Sequence, residues 1–419
     1  MKTLKVGSDF SGVGAFDYAI KRISEKKGFE VETVFACDWD KYARITYAHN
    51  HGTPKYYPED VYEREIPSEP LDIYMTSPPC QAFSLAGKRL GKLDSKGILF
   101  FNSHEFIKKN KPRFFIFENV KGLLSDDNGN TFSEWVNMLG GKSINGLPLL
   151  FPYENSVPYH LYWQVLNSKK HGVPQNRERV FLVGIRDDED NSFQFPKEEH
   201  LTTRLKDVLE SEVDEKYFLS ELQMNQLIIN GIGENSSDLK CIGNTHPSGN
   251  GMNGNVFDED GISPTLSTNK GEGIKIKQAT KKGYEIATEN DSINFSVPNS
   301  ETRRGRVGKE VAQTLDTQCN QGVIVRPVQI GQSEQTFAFK NGTLIGKDNQ
   351  EAFCIRASQP NGVQTNQKIR RLTPRECFRL QDFPESFDFS CVSDSQAYKQ
   401  AGNSITVRVL EKILNNLKL

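Results

Sequence analysis

The sequence predicts an α/β fold: a doubly wound, mostly parallel sheet with helices on both faces, followed by a smaller, loop-rich and β-leaning domain. From the start to about Arg186, short apolar runs rich in β-branched and aromatic residues alternate with segments of helical character. After about Asp187 the chain turns to Gly, Asn, Ser and Thr, as in Gly249-Asn250-Gly251-Met252-Asn253-Gly254-Asn255. Length agrees, since 419 residues exceed the roughly 250 to 300 at which one hydrophobic core stops growing.

The predicted strands are Leu4–Ser8, Val31–Ala36, Leu71–Thr76, Arg113–Phe117, Tyr162–Leu166 and Val180–Ile185. In such a sheet ligands sit beyond the carboxyl ends of the strands, so the residues just after each run carry the most information. The second domain holds a faint repeat, Ile262 to Thr268 against Val311 to Thr317, and two copies do not make a solenoid. At the end, Val409, Leu410, Ile413, Leu414 and Leu417 share one helical face that needs a partner to cover it.

A hydrophobic fraction of 36% and a charged fraction of 25% fit a globular protein. No apolar run approaches the roughly 20 residues of a membrane span. The N-terminus runs into a strand without a secretory signal pattern, so a cytoplasmic location is expected. Seven cysteines without a C-x-x-C pair argue against a disulfide framework and a zinc site, and no metal is expected. A net charge of −2 does not advertise a nucleic-acid binder, so any DNA contact must come from a local surface.

The first strand leads into Phe10-Ser11-Gly12-Val13-Gly14, where glycines let backbone approach a ligand, although a plain tight turn reads equally well. Asp17 stands where the dinucleotide fingerprint requires its third glycine, which counts against a nicotinamide cofactor. The second strand ends at Cys37-Asp38-Trp39-Asp40. An acid there can accept from ribose hydroxyls and a tryptophan can stack on a purine; a helix cap beside a core tryptophan is the alternative.

The third strand ends in Ser77-Pro78-Pro79-Cys80, where consecutive prolines stiffen the turn that presents a thiol. A lone cysteine is ordinarily a small buried hydrophobe. The fourth strand ends in Glu118-Asn119-Val120, delivering a carboxyl that can donate a proton to the same rim, unless it is a cap or a surface acid. Arg177 and Arg179, at alternate positions heading the run Val180–Ile185, would point to one side and suit two donors aimed at one ligand; a solvated face is the bland reading.

Taken together and in this order, the pieces resemble the DNA (cytosine-5)-methyltransferase family. The motifs are F-S-G-V-G at 10 to 14, D-W-D-K-Y-A at 38 to 43, P-P-C-Q-A-F-S at 78 to 84, D-S-K-G-I-L-F-F at 94 to 101, E-N-V at 118 to 120, Q-N-R-E-R-V at 175 to 180, R-L-T-P-R-E-C-F-R-L-Q-D-F-P at 371 to 384, and A-G-N-S-I at 401 to 405. The resemblance covers roughly residues 1 to 186 and 369 to 419. It departs at two places: Ser8 replaces the acid expected two places before Phe10, with Asp9 beside it, and Ala15 stands where many members have glycine.

The resemblance implies a Rossmann-like domain dependent on S-adenosylmethionine, built from 1–186 and 390–419, and a target-recognition domain over 187–389. The variable part of the latter is about 190–368 and its conserved block 369–389. It implies that Cys80 adds to C6 of cytosine, that Glu118 contacts N3 and the exocyclic amine, and that Arg179 contacts O2 with Arg177 in support. Phe10, Gly12, Gly14, Asp38, Trp39, Asp60, Leu99 and Asn403 match cofactor-contacting positions. Ser84 and the cluster Arg303, Arg304 and Arg306 are expected to touch DNA, since arginine holds phosphates or reads guanine. The expected partner is double-stranded DNA bound by a monomer; a cognate restriction endonuclease is a candidate companion in the cell that the sequence does not reveal. A transfer-RNA methyltransferase and a catalytically inactive DNA-binding regulator are the competing readings; the long insertion argues against the first, and intact Cys80, Glu118 and Arg179 against the second.

Overall fold

The structure, a computed structural model, describes residues 2–79, 98–220, 241–244, 255–257, 274–298, 300, 302–325, 338–340, 343–345 and 368–419. Cys80, Ser84 and the first copy of the faint repeat lie outside the described residues.

All six predicted runs are strands: β1 (Thr3–Asp9), β2 (Glu30–Cys37), β3 (Ile73–Thr76), β4 (Phe114–Val120), β7 (Tyr159–Asn167) and β9 (Glu178–Arg186). With the short β5 (Ser143–Ile144) and β6 (Leu147–Pro148) they form one sheet in the order β2-β1-β3-β4-β9-β7-β5-β6, while the two-residue β8 (Gln175–Asn176) lies outside it. β2, β1, β3 and β4 run parallel, connected through α1 (Ala15–Lys27), α2 (Lys41–His51) and α3 (Ile98–Asn110). β9 is antiparallel to both β4 and β7, so the sheet is mixed. The physical reason is length: the ten residues between β7 and β9 are too few for a helical crossover, which needs a dozen or more.

The reversal has a functional consequence. Parallel strands deliver their carboxyl ends to one rim, whereas antiparallel β9 delivers its first residues there, and Arg179 pairs with Val120 at the end of β4. Strand order reverses about β1, with β2 on one side and β3 on the other, which opens a crevice at the carboxyl ends of β1 and β3.

Aromatic side chains fill the space around this sheet. Phe35, Tyr74, Phe106, Phe115 and Phe117 are fully buried, and Phe100 stacks on Trp135 of α4 (Asn130–Leu139) at 4.0 Å. Gly7 is needed in β1 because a Cβ there would lie 2.3 Å from the Phe35 ring. The C-terminal segment forms α5 (Pro374–Arg379), α6 (Asp394–Asn403) and α7 (Val407–Asn415). The apolar face of α7 packs against α1, and the Lys27 ammonium donates to the Asn415 carbonyl at 2.9 Å.

The chain divides into two compact units, 1–209 with 313–319 and 374–419, and 210–312 with 320–373. Residues 187–209, 313–319 and 374–389 all belong to the first unit. The 313–319 stretch is held there by the Thr314 hydroxyl donating to the Asn176 carbonyl at 2.8 Å, with buried Cys319 and Cys377 sulfurs 3.1 Å apart. These attachments join chain positions more than 50 residues apart, which local composition does not register.

The second unit is β-rich, as expected. A four-stranded antiparallel sheet takes the order Val307–Gly308, Ser292–Asn294, Gln321–Val325, Lys368–Arg371. It carries a small core of Ile276, Ala287, Ile293, Ile324 and Ile369. Among the described residues, no helix is long and apolar enough to cross a membrane.

Candidate active site

The loop after β1 uses left-handed backbone at Phe10 (φ 58°), Gly12 (φ 57°) and Gly14 (φ 85°). Phe10 is an unusual place for such a conformation, because a Cβ penalises it. Gly14 has a second constraint, since a Cβ there would lie 2.2 Å from His51 Nε2.

Asp38 braces this loop. It accepts the Gly12 N–H at 2.8 Å on one oxygen and the Asp40 N–H at 2.8 Å on the other. The alternative readings are settled by neighbours. Asp40, not Asp38, caps α2, accepting from the Tyr42 and Ala43 N–H groups at 2.9 and 3.0 Å. Trp39 is 82% exposed, so it is no core residue and its ring is open to stack on a ligand. Burial pushes the Asp38 carboxyl above its usual range, against the opposing pull of the two N–H donors. Each oxygen keeps lone-pair capacity for a hydroxyl donor.

Asp60 is exposed and accepts the Tyr62 N–H at 2.9 Å. Arg44, which no motif pointed out, joins its segment to Asp38: it donates to the Tyr57, Pro58 and Asp38 carbonyls at 2.8, 2.7 and 3.3 Å and lies 3.9 Å over the Tyr57 ring. Lys399 of α6 pairs with Asp40 at 2.6 Å. Asn403, exposed at the end of α6, thus belongs to a helix tied to the Asp38–Asp40 loop. Leu99 is half-buried in the first turn of α3. The donors and acceptors around this crevice fit a nucleoside cofactor: a carboxylate for hydroxyls, an open indole face and a loop shaped for close backbone approach.

Asp9 does not stand in for the acid missing at Ser8. Its carboxyl turns into the core, where Arg64 Nε lies 2.9 Å away and the Tyr74 hydroxyl donates at 2.6 Å. Arg64 continues to the Asn102 side chain at 2.8 Å. A buried charge needs such partners, and these come from separate segments of the chain.

At the adjacent strand ends the ladder between β3 and β4 stops because Pro78 and Pro79 have no N–H to donate. Side chains take over. The register pairs Thr76 with Phe117, so the next residues, Ser77 and Glu118, stand side by side. The Ser77 hydroxyl donates to Glu118 Oε2 at 2.6 Å, and the Asn119 amide donates to the Pro78 carbonyl at 3.3 Å. Arg179 meets the other oxygen, with Nε 3.1 Å from Glu118 Oε1. The buried Glu118 carboxyl is thereby held from both sides at the residue-77 end of the strand that leads to Cys80.

The two arginines have different hydrogen-bond partners. Arg177 is buried and donates to the Leu315, Gly402 and Ser404 carbonyls at 3.5, 3.2 and 2.7 Å. Its guanidinium, committed to backbone, fastens the A-G-N-S segment while lying in the electrostatic field of Arg179 and Glu118. In the second unit the expected DNA contact of Arg306 is corrected. It is fully buried and donates to the Asn294, Ser296, Val297 and Pro298 carbonyls at 2.6 to 3.2 Å, which removes it from any DNA-facing surface. Arg304 is exposed and Arg303 half-buried.

The sheet order and the rim of acid, glycine loop and arginine define a Rossmann-like methyltransferase. The chain belongs to the C-5 cytosine-specific DNA methylase family, which it matches over residues 4–419. It is 36% identical over 470 residues to the orphan methyltransferase M.SPRI of Bacillus phage SPR, covering 100% of this chain and 98% of that protein. It is 28% identical over 410 residues to the type II methyltransferase M.HhaI of Haemophilus parahaemolyticus, covering 97% and 92%. Among solved structures, S. pombe Dnmt2 methyltransferase shares the fold, with a TM-score of 0.54 at 18% identity over 98% of this chain and 97% of that one. The protein is therefore an enzyme of DNA methylation.

Proposed function

We propose that the protein transfers a methyl group from S-adenosylmethionine to carbon 5 of a cytosine within a specific sequence of double-stranded DNA. The observation that carries this reading is the clamping of Glu118 between Ser77 and Arg179 beside the strand end that continues into Cys80. Carbon 5 of cytosine is a poor nucleophile. Addition of the Cys80 thiolate to C6, with Glu118 giving a proton to N3 and Arg179 donating to O2, produces an enamine whose C5 is nucleophilic. Bound S-adenosylmethionine supplies the electrophilic methyl. Loss of the C5 proton and of Cys80 then restores the ring. The cytosine must leave the base stack to reach this rim, as enzymes that act on bases require.

Asp38, Trp39 and the Phe10–Gly14 loop hold the cofactor in this reading, with Asp60, Leu99 and Asn403 completing its pocket. The second unit selects the DNA sequence, with Arg303 and Arg304 as its basic contacts. The enzyme acts as a monomer in the cytoplasm. M.SPRI is by name an orphan methyltransferase, and the same independence from a restriction endonuclease is proposed here.

Bisulfite sequencing of DNA from cells expressing the protein gives activity and sequence context together, with transfer RNA as the comparison substrate. A duplex carrying 5-fluorocytosine at the mapped position should then trap an SDS-resistant adduct with the wild type and none with Cys80→Ala. Absence of an adduct from the wild type would sink the mechanism.

A further inference from the structure

The two oxygens of Glu118 are not equivalent. Oε1 faces Arg179 Nε at 3.1 Å, and a guanidinium donates but never accepts. Oε2 faces the Ser77 hydroxyl at 2.6 Å, and a hydroxyl can do either. A proton on Oε1 would point at an N–H donor. A proton on Oε2 meets an oxygen able to turn and receive it.

We propose that Ser77 is a positioning residue for the methyl-transfer reaction: its hydroxyl assigns the transferable proton of Glu118 to Oε2 and fixes the carboxyl plane in which that proton is presented to the base. This rests on the reading of Glu118 as the acid. While Glu118 is a carboxylate, Ser77 donates to Oε2, the arrangement of the structure; once Oε2 carries the proton, Ser77 turns to accept from its O–H. When a base enters, that O–H bond breaks as the ring N–H forms, and Ser77 rotates to donate to the new carboxylate. Ser77 keeps its own proton throughout, so the only net transfer is from Oε2 to the ring. The position is set by backbone, because Ser77 and Glu118 follow the paired residues Thr76 and Phe117, and Pro78 and Pro79 leave no N–H that could take the hydroxyl's place.

The test is steady-state kinetics of the full chain on a duplex containing the site mapped by bisulfite sequencing, alongside calorimetric binding of S-adenosylmethionine. Ser77→Ala should lower kcat by about tenfold or more, the scale of one hydrogen bond to a charged group. KM for DNA and Kd for the cofactor should stay within about twofold, the signature of an interaction felt in the transition state. Ser77→Thr, which retains the hydroxyl, should recover most of the rate. The double variant Ser77→Ala with Glu118→Gln should be no slower than Glu118→Gln alone. If Ser77→Ala is not recovered folded, Ser77→Gly gives the same comparison. A wild-type kcat in Ser77→Ala beside an impaired Glu118→Gln overturns the role of Ser77, as do independent, multiplying effects. An unimpaired Glu118→Gln instead overturns the assignment of the acid.

Discussion

Arg177 donates to the Ser404 carbonyl at 2.7 Å, joining the entry to β9 to the end of α6 across 227 positions of sequence. The same guanidinium reaches Gly402. Burial and the like charge of Arg179 push its pKa down, and carbonyl dipoles, with no carboxylate in direct contact among the described residues, hold the cation. Arg177→Met should therefore cost about 2 kcal/mol or more of stability, by stranding buried carbonyls. Arg179→Ala, which takes from buried Glu118 one of its two partners, should abolish turnover at a further cost in stability. Turnover measured on each variant well below its urea midpoint separates them, and a folded but inactive Arg177→Met would reverse the assignment.

Asp38→Ala should weaken S-adenosylmethionine binding about ten- to a hundred-fold, since it removes an acceptor for the ligand together with the brace on Gly12. Calorimetry reads this directly. Asp40→Ala, which removes the cap of α2 and the Lys399 pair, should cost roughly 1 kcal/mol of stability and less affinity.

Gly14→Ala meets two obstacles, a φ of 85° and the His51 ring. Cofactor affinity should fall together with the melting temperature. Adding His51→Ala should restore part of the loss by opening the space, while the backbone strain stays. Full rescue would mean that the φ carries no cost.

Burial lowers the pKa of His51, His104 and His171 from 6.5. A depressed folded-state pKa gives stability that is present above about pH 6.5 and lost as pH falls toward the folded value, because the unfolded chain takes up the protons first. The urea midpoint should drop between pH 7 and 5.5. Replacement of His51 by Phe should make that drop smaller, and an unchanged pH dependence in this variant would remove His51 from the account.

Arg306→Ala should destabilise the second unit, for it takes a donor from the Asn294, Ser296, Val297 and Pro298 carbonyls. Arg304→Ala should leave stability intact. If Arg304 holds a phosphate, affinity falls for all duplexes and the salt slope drops by about 1; if it reads a base, preference relaxes at one position. No change in DNA binding with Arg304→Ala would take that residue off the interface.

The sequence by itself determined which residues stand at the ends of β1 to β4, because apolar runs and the turns that end them are local signals. That was enough to bring the glycine loop, Asp38, the Ser77-Pro78-Pro79 turn and Glu118 to the strand ends of one sheet. Tertiary structure alone decided which members of look-alike sets are spent on backbone carbonyls. Arg177 and Arg179 are two residues apart and chemically identical; one meets carbonyls from residues 315, 402 and 404, the other meets Glu118. Arg306 differs from Arg304 in the same way. Ser77 carried no signal beyond its place before two prolines, and Arg44 none at all. The partners that define these side chains come from distant segments, and a buried polar group takes its role from whichever acceptors the fold brings to it.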